Sequence, residues 1–261
     1  MSIQPLAYIN PAAKIASSVI IDPFAVIHGN VEIGAGTWIG SNVTIMDGAR
    51  IGKNCRIFPG AVISAIPQDL KFDGEDTLAI IGDNTTIREF VTVNRGTKDR
   101  WKTVVGSDVL LMAYVHIAHD CIVGNNAILA NGVTLGGHVI IGEHAIIGGL
   151  SAMHQFCNIG AHTIIAGGSL IDKDVPPYVK GARHPLQYAG VNSIGLRRRG
   201  YSAEKINQIQ DIYRYLYVRG LNVTKAVEVI ETDVTVTPER DEILEFIKNS
   251  KRGIMKGYFS E

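Results

Sequence analysis

Two histidines three apart, His116 and His119, stand in the stretch LLMAYVHIAHDCIVG (residues 110–124) and could move a proton or hold a metal. Asp120 follows directly, and a carboxylate beside an imidazole can fix its tautomer and stabilise its protonated form. Six of the eight histidines fall between residues 116 and 162, so any such chemistry is confined to one region. Three readings compete. Zinc needs three or four converging ligands, which His116, His119 and His138 could begin to supply, yet neither HExxH nor paired cysteines accompany them. The histidines could equally be surface or interface side chains. A general base is the third reading. No GxSxG elbow is present, and Cys121 shows no sign of thiolate activation. A histidine base would therefore deprotonate a substrate hydroxyl directly, without a covalent relay.

What "three apart" means depends on the backbone beneath it. Stepping by six from Ile9 to Ile63 meets isoleucine at all ten positions. The step resumes at Ile81, Ile87 and Val93, then runs unbroken from Val105 through Leu111, Ile117, Val123, Leu129 and Leu135 to Ile171. A period of six fits neither an α-helix nor a plain half-buried strand. It fits a triangular coil with three short parallel strands per turn, one aliphatic side chain pointing inward per side and small residues at the corners. Stacked turns then build a core that no single turn could bury alone. The expectation is an all-β solenoid, a parallel β-helix of about ten turns over residues 1–190. Excursions near 64–79 and 94–104 interrupt it, and such excursions tend to carry binding. In this register Leu135 lies above Ile117, which brings His138 to nearly the level of His119, one turn on.

Composition shifts near residue 190. Eight of the nine prolines lie before it, and 12 of the 25 basic residues lie from Asn192 onward, which marks residues 191–261 as a separate α-helical domain. Ser202 can cap a helix carrying Ile206, Ile209, Ile212, Tyr213 and Leu216 on one stripe. A shorter segment follows around Thr224 to Ile230, and Thr237 with Pro238 opens a last helix. Net charge is zero, which removes any composition-level case for nucleic acid. Three scattered cysteines fit a reducing compartment, and neither a signal peptide nor a membrane span is apparent. The expected location is cytoplasmic. Flat solenoid faces lack a concave pocket, so a ligand groove between packed chains, most simply a homotrimer, is expected.

Five motifs together narrow the reading: PQDLKFDGE (67–75), VTVNRGT (91–97), HIAHD (116–120), GGHVIIGEHAIIGGLSAMHQF (136–156) and VNSIGLRRRG (191–200). Their combination resembles the acyl-ACP-dependent UDP-N-acetylglucosamine O-acyltransferases of lipid A biosynthesis, and most resembles the Bacteroidota branch. The hexapeptide repeat alone is shared by many acyltransferases, whereas PQDLK with HIAHD and MHQF is specific. The resemblance spans nearly the whole chain and implies a left-handed coil. It implies His119 as base with Asp120 orienting it, taking the proton from the sugar 3-hydroxyl as that oxygen attacks an (R)-3-hydroxyacyl thioester on acyl carrier protein. The Gly137 N–H would hold the oxyanion. Gln68 and Lys71 match positions near the sugar nucleotide, and Asp69 the acceptor for the acyl 3-hydroxyl. His138, His154 and Gln155 match polar positions in the sugar or pantetheine region. His116 is a secondary match, and Asn192, Arg198 and Arg199 match a uridine-diphosphate region. Basic surface including Arg197 suits docking of the acidic carrier. The resemblance implies no resident cofactor, only the phosphopantetheine thioester as co-substrate, and no metal.

Three positions bear on specificity. Asn94 stands where some members carry histidine, and Ile194 where some carry glutamate. Gly167 matches the acyl-chain stop and leaves the groove open, which favours a long chain. Rival functions are acylation of a 3-amino UDP-sugar, the later N-acylating step, whose enzymes carry an extra N-terminal domain, and a non-catalytic repeat scaffold.

Overall fold

A computed structural model describes residues 2–3 and 5–257. The first two-thirds is a left-handed parallel β-helix whose short strands fall into three sheets of eleven, nine and eight strands. Each strand pairs with the third strand along. Ile39 pairs with Ile57 on the first face, Ile117 with Leu135 on the second and Val123 with Ile141 on the third, always eighteen residues apart. Across the first excursion Ile57 pairs with Ile87, thirty residues on, and across the second Ile87 pairs with Leu111, twenty-four on. Both excursions therefore add whole multiples of six. The aliphatic ladder re-enters in register and its inward face is kept.

The ladder residues are buried as the period requires, with Ile57, Ile87, Leu111, Ile117 and Leu135 all at 0% exposure. The structure adds a second inward position, two residues before each ladder residue, that the period of six did not announce. Ala25, Val43, Cys55, Ala61, Val115, Cys121, Ala127, Val133, Ser151 and Cys157 occupy it, all fully buried. Large and small residues thus alternate inward and fill a narrow prism. All three cysteines serve as small fillers there, and burial pushes the Cys121 thiol up to about 12 and Cys157 to about 11.

Corners fall three residues after most ladder residues and there take positive φ. Glycine suits the conformation at Gly60 and Gly132, but Asp120 (φ 59°), His138 (φ 63°) and Phe156 (φ 67°) adopt it between the second and third faces. Their side chains stack one coil above another at one edge of the prism.

After the last coil an antiparallel hairpin, Val179–Ala182 with Gln187–Val191, extends the first face. Four helices follow: α1 (Ser193–Arg198), α2 (Ala203–Tyr217), α3 (Val223–Asp233) and α4 (Pro238–Asn249). Ser202 caps α2 by accepting from the Lys205 N–H, and Thr237 caps α4 by accepting from the Arg240 N–H, as their positions in the sequence predict. The buried stripe of α2 is the expected Ile206, Ile209, Ile212, Tyr213 and Leu216. Tyr213 stacks on Tyr188 of the hairpin and donates to the Pro177 carbonyl at 2.5 Å, which seats the helices on the end of the coil. Helix α1 and the hairpin were not foreseen: the former is only six residues long and the latter replaces a coil turn. Among the described residues no helix is long and apolar enough to cross a membrane.

Candidate active site

His119 follows the ladder residue Ile117 by two, so it leaves the prism at the edge between the second and third faces. Its Nδ1 lies 2.9 Å from Asp120 Oδ2. Asp120 is completely buried, and an unpaired carboxylate there would be strongly disfavoured. It is held by the second excursion. Thr97 donates from its backbone N–H to Oδ1 (3.0 Å) and from its hydroxyl to Oδ2 (2.6 Å), and the Arg100 N–H adds a third bond (3.3 Å). The Arg100 guanidinium grips the Asp120 carbonyl at 3.0 Å, and Thr103 accepts from the Asp120 N–H at 2.8 Å. Burial pushes the Asp120 carboxyl up, but the bonds from His119 and Thr97 outweigh it and hold the group below its ordinary value. It is an ionised anchor that orients His119 Nδ1 and leaves Nε2 pointing away.

One coil above His119 in the same column stands Gly137. A Cβ there would lie 2.6 Å from His119 Cε1, so only glycine admits the imidazole. Among the described residues the Gly137 N–H donates to no acceptor, while its carbonyl accepts from Phe156. An imidazole therefore lies beside an uncommitted backbone donor. Gln155 continues this column and His154 the adjacent one, and both are exposed.

His138 stands above Asp120, in the corner column, and not above His119. The eighteen-residue register that stacks Leu135 on Ile117 requires this. Its ring is perpendicular to that of His119 (centroids 5.1 Å apart, 89°) and stacks on Phe156 at 4.5 Å. Burial pushes its pKa down. A cavity of about 860 Å³ opens beside it, between the third face and α4, with Arg100, Phe156, Glu242 and Phe246 in its walls.

Ligand atoms of His119, Asp120 and His138 lie within 4.8 Å of one another, the one such triplet among the described residues. His116, the third member of the set considered from sequence, is elsewhere. It projects from the second face, its Nδ1 is 2.7 Å from the Thr92 hydroxyl, and burial lowers its pKa. A cation in the triplet would compete for Asp120 Oδ2 with two bonds already made, from Thr97 and His119.

The remaining positions are spread around the prism. Gln68 and Lys71 are exposed on the first excursion, and Asp69 there accepts from the Lys71 N–H. Asn94 is buried and ties that excursion down by donating to the Ile66 carbonyl at 2.9 Å, while its own Oδ1 is buried without a partner among the described residues. Gly167 is exposed at the edge between the first and second faces, three coils along. Asn192 caps α1 and donates to the His162 carbonyl, and Arg199 donates to the His144 carbonyl, both at the edge between the third and first faces. Arg198 is exposed, and its side chain makes no hydrogen bond or ion pair among the described residues. Within one chain the structure gathers His119, Asp120, Gly137 and His138; Gln68, Asp69 and Lys71 lie on the same edge two coils earlier, and Gly167, Asn192, Arg198 and Arg199 lie away from it. Thr97, Asp99, Arg100 and Thr103 were missed. The interruption NRGTKDRWKT signalled a loop, but nothing in its composition says that it wraps Asp120.

Comparison with known proteins adds an independent line. Residues 174–255 match the family model described as UDP-N-acetylglucosamine O-acyltransferase, domain 2, and residues 30–65 and 102–137 match the bacterial transferase hexapeptide model. The chain is 46% identical over 261 residues to an acyl-[acyl-carrier-protein]–UDP-N-acetylglucosamine O-acyltransferase of Leptothrix cholodnii, covering 97% of this chain and 99% of that one. A crystal structure of a UDP-N-acetylglucosamine acyltransferase from Bacteroides fragilis superposes with a TM-score of 0.95 at 50% identity, covering 97% of this chain and 99% of that one. The Arabidopsis UDP-N-acetylglucosamine acyltransferase does so with a TM-score of 0.84 at 31% identity, covering 97% and 100%.

Proposed function

This chain belongs to the UDP-N-acetylglucosamine O-acyltransferase family, and from that membership we propose the chemistry of its His119 corner. The enzyme transfers an acyl group from acyl carrier protein to UDP-N-acetylglucosamine, the first step of lipid A biosynthesis. His119 Nε2 takes the proton of the sugar 3-hydroxyl as that oxygen attacks the thioester carbon of an (R)-3-hydroxyacyl group. The Gly137 N–H stabilises the tetrahedral oxyanion, and the protonated imidazole then returns its proton to the departing pantetheine sulfur. Asp120 stays ionised throughout and stabilises the imidazolium. Both substrates bind together, so alignment, a base and a dipole suffice, and neither an acyl-enzyme nor a resident cofactor is required. The observation that carries this reading is the His119–Asp120 pair at 2.9 Å beside an uncommitted Gly137 N–H.

The other matched positions complete the site between subunits of a homotrimer. In one chain Gln68, Asp69 and Lys71 lie on the His119 edge two coils earlier, and the Gly167 edge and Asn192 with Arg198 and Arg199 lie away from it, which a site shared with a neighbour would accommodate. Lys71 and Arg198 suit the diphosphate, Asp69 the acyl 3-hydroxyl, His154 and Gln155 the sugar or pantetheine, and Gly167 leaves room for a long chain. Asn192 acts through its cap on α1. The reaction takes place in the cytoplasm, where both substrates are held in solution.

Purified protein incubated with UDP-N-acetylglucosamine, its 3-amino analogue and a panel of acyl-ACPs tests the reading. Product from the hydroxyl sugar is expected, falling by at least about 100-fold in His119→Ala, with the trimer retained in sedimentation. Acylation of the amine alone, or full turnover by His119→Ala, would overturn it.

A further inference from the structure

The second excursion brings a second carboxylate to the site. Asp99 Oδ2 lies 3.2 Å from His138 Nδ1, and Asp99 is 67% exposed while the His138 side chain is 10% exposed. The two are close enough to pair but not aligned for a full hydrogen bond, so His138 Nδ1 is a buried nitrogen with Asp99 as the carboxylate in reach. At the other end of the ring Nε2 is 3.8 Å from Asp120 Oδ2, too far for a hydrogen bond. Stacking on Phe156 fixes the plane of the ring.

We propose that Asp99 is a positioning residue for the transfer reaction: it holds His138 in the tautomer protonated on Nδ1, so that Nε2 faces the His119 corner as a hydrogen-bond acceptor for a substrate N–H or O–H. The inference rests on reading that corner as the reaction site. Burial favours neutral His138, and a neutral imidazole has one N–H to place. Which nitrogen keeps it is decided by the partner of the other. A carboxylate at Nδ1 decides it one way. The same segment that supplies Thr97 and Arg100 to Asp120 supplies Asp99 to His138, so one loop orients both imidazoles: His119 through Asp120, and His138 directly. The two rings then differ in role. His119, gripped by a buried anion, is the base, and His138, beside an exposed one, accepts a hydrogen bond from the substrate.

The test uses the full chain labelled with ¹⁵N-histidine, in which two-bond ¹H–¹⁵N correlations report the tautomer of each ring, together with kcat and KM for both substrates. His138 in the parent protein is expected to carry its proton on Nδ1. Asp99→Ala shifts it toward the Nε2-protonated tautomer and lowers kcat by about tenfold, the scale of losing a carboxylate behind a working histidine. Asp99→Asn, whose amide oxygen still accepts, restores the tautomer and most of kcat. In the His138→Gln background Asp99→Ala has no further effect, since coupled residues are not additive. Protonation on Nε2 in the parent protein, or an Asp99→Ala loss that adds in full to that of His138→Gln, would overturn the proposal. Retained turnover in His119→Ala would instead remove the reading of the corner and leave the tautomer measurement standing, so the two failures are distinguishable.

Discussion

At the scale of single residues, the site depends on one side chain being a charge and one position having no side chain. Asp120 is useful because three donors from residues 97–100 hold it ionised inside the protein. Gly137 is useful because its missing Cβ is the space His119 occupies. Gly137→Ala drives a methyl group against the imidazole. Turnover is expected to fall on the order of 100-fold, since a displacement near 1 Å at a reacting group costs that much. The backbone at 137 needs no positive φ, so circular dichroism should be unchanged, and a variant with parent-like kcat would show that His119 works from another rotamer. His119 and Asp120 were legible in HIAHD because adjacent residues declare themselves. The clamp around them was not, since Thr97 and Asp120 meet across 23 residues.

At the scale of elements, the second excursion combines a structural constraint with a functional gain. It adds six residues, one side of the prism, and so leaves the ladder in register on both sides. Deleting residues 96–101 places Val93 and Val105 six apart, as in the uninterrupted coil. That variant is expected to keep cooperative unfolding and its β-sheet circular dichroism while losing turnover, because the supports of Asp120 and His138 are gone. A five-residue deletion in the same loop turns every later inward residue outward, and should unfold or aggregate. Equal tolerance of both deletions, read by thermal melts, would show that register is not what limits the loop. The strands themselves were readable from the sequence because a strand in this coil is its isoleucine and the residue before it, repeated. The hairpin at 179–191 was not, because its pairing is antiparallel and follows no hexapeptide rule.

At the scale of the whole molecule, coil and helices are joined along the edge between the third and first faces, the next edge from the His119 corner. His144 stacks on His162 (4.9 Å) and His162 on Tyr178 (5.5 Å), while the Tyr201 hydroxyl reaches His162 Nε2 at 3.4 Å. Tyr178 donates to Glu242 of α4, and Arg199 bonds the His144 carbonyl. Burial, with His144 and Arg199 adding to it, pushes the His162 pKa from 6.5 to about 4. The folded state thus refuses a proton that the unfolded chain accepts between those values. Stability from this group is present above pH 6.5, is lost as pH falls to about 4, and changes no further below. His162→Phe keeps the stack and removes the titration. Its denaturant midpoint, compared with that of the parent at each pH, is expected to depend less on pH across this window, and parallel curves would show that the junction does not sense protons.

The sequence by itself determined the coil, its inward ladder, the two excursions and the helical caps, because each is a local rule repeated: an aliphatic residue every sixth place, or a hydroxyl before a helix. It also carried the His119–Asp120 pair, whose members are adjacent in the chain. The tertiary structure alone decided what stands above what. It set His138 over Asp120, placed Gly137 over His119, and folded Thr97, Asp99 and Arg100 around the corner. Stacking is fixed by hydrogen bonds between coils, which join residues about a whole turn apart, and no period in the sequence records which loop closes over which edge.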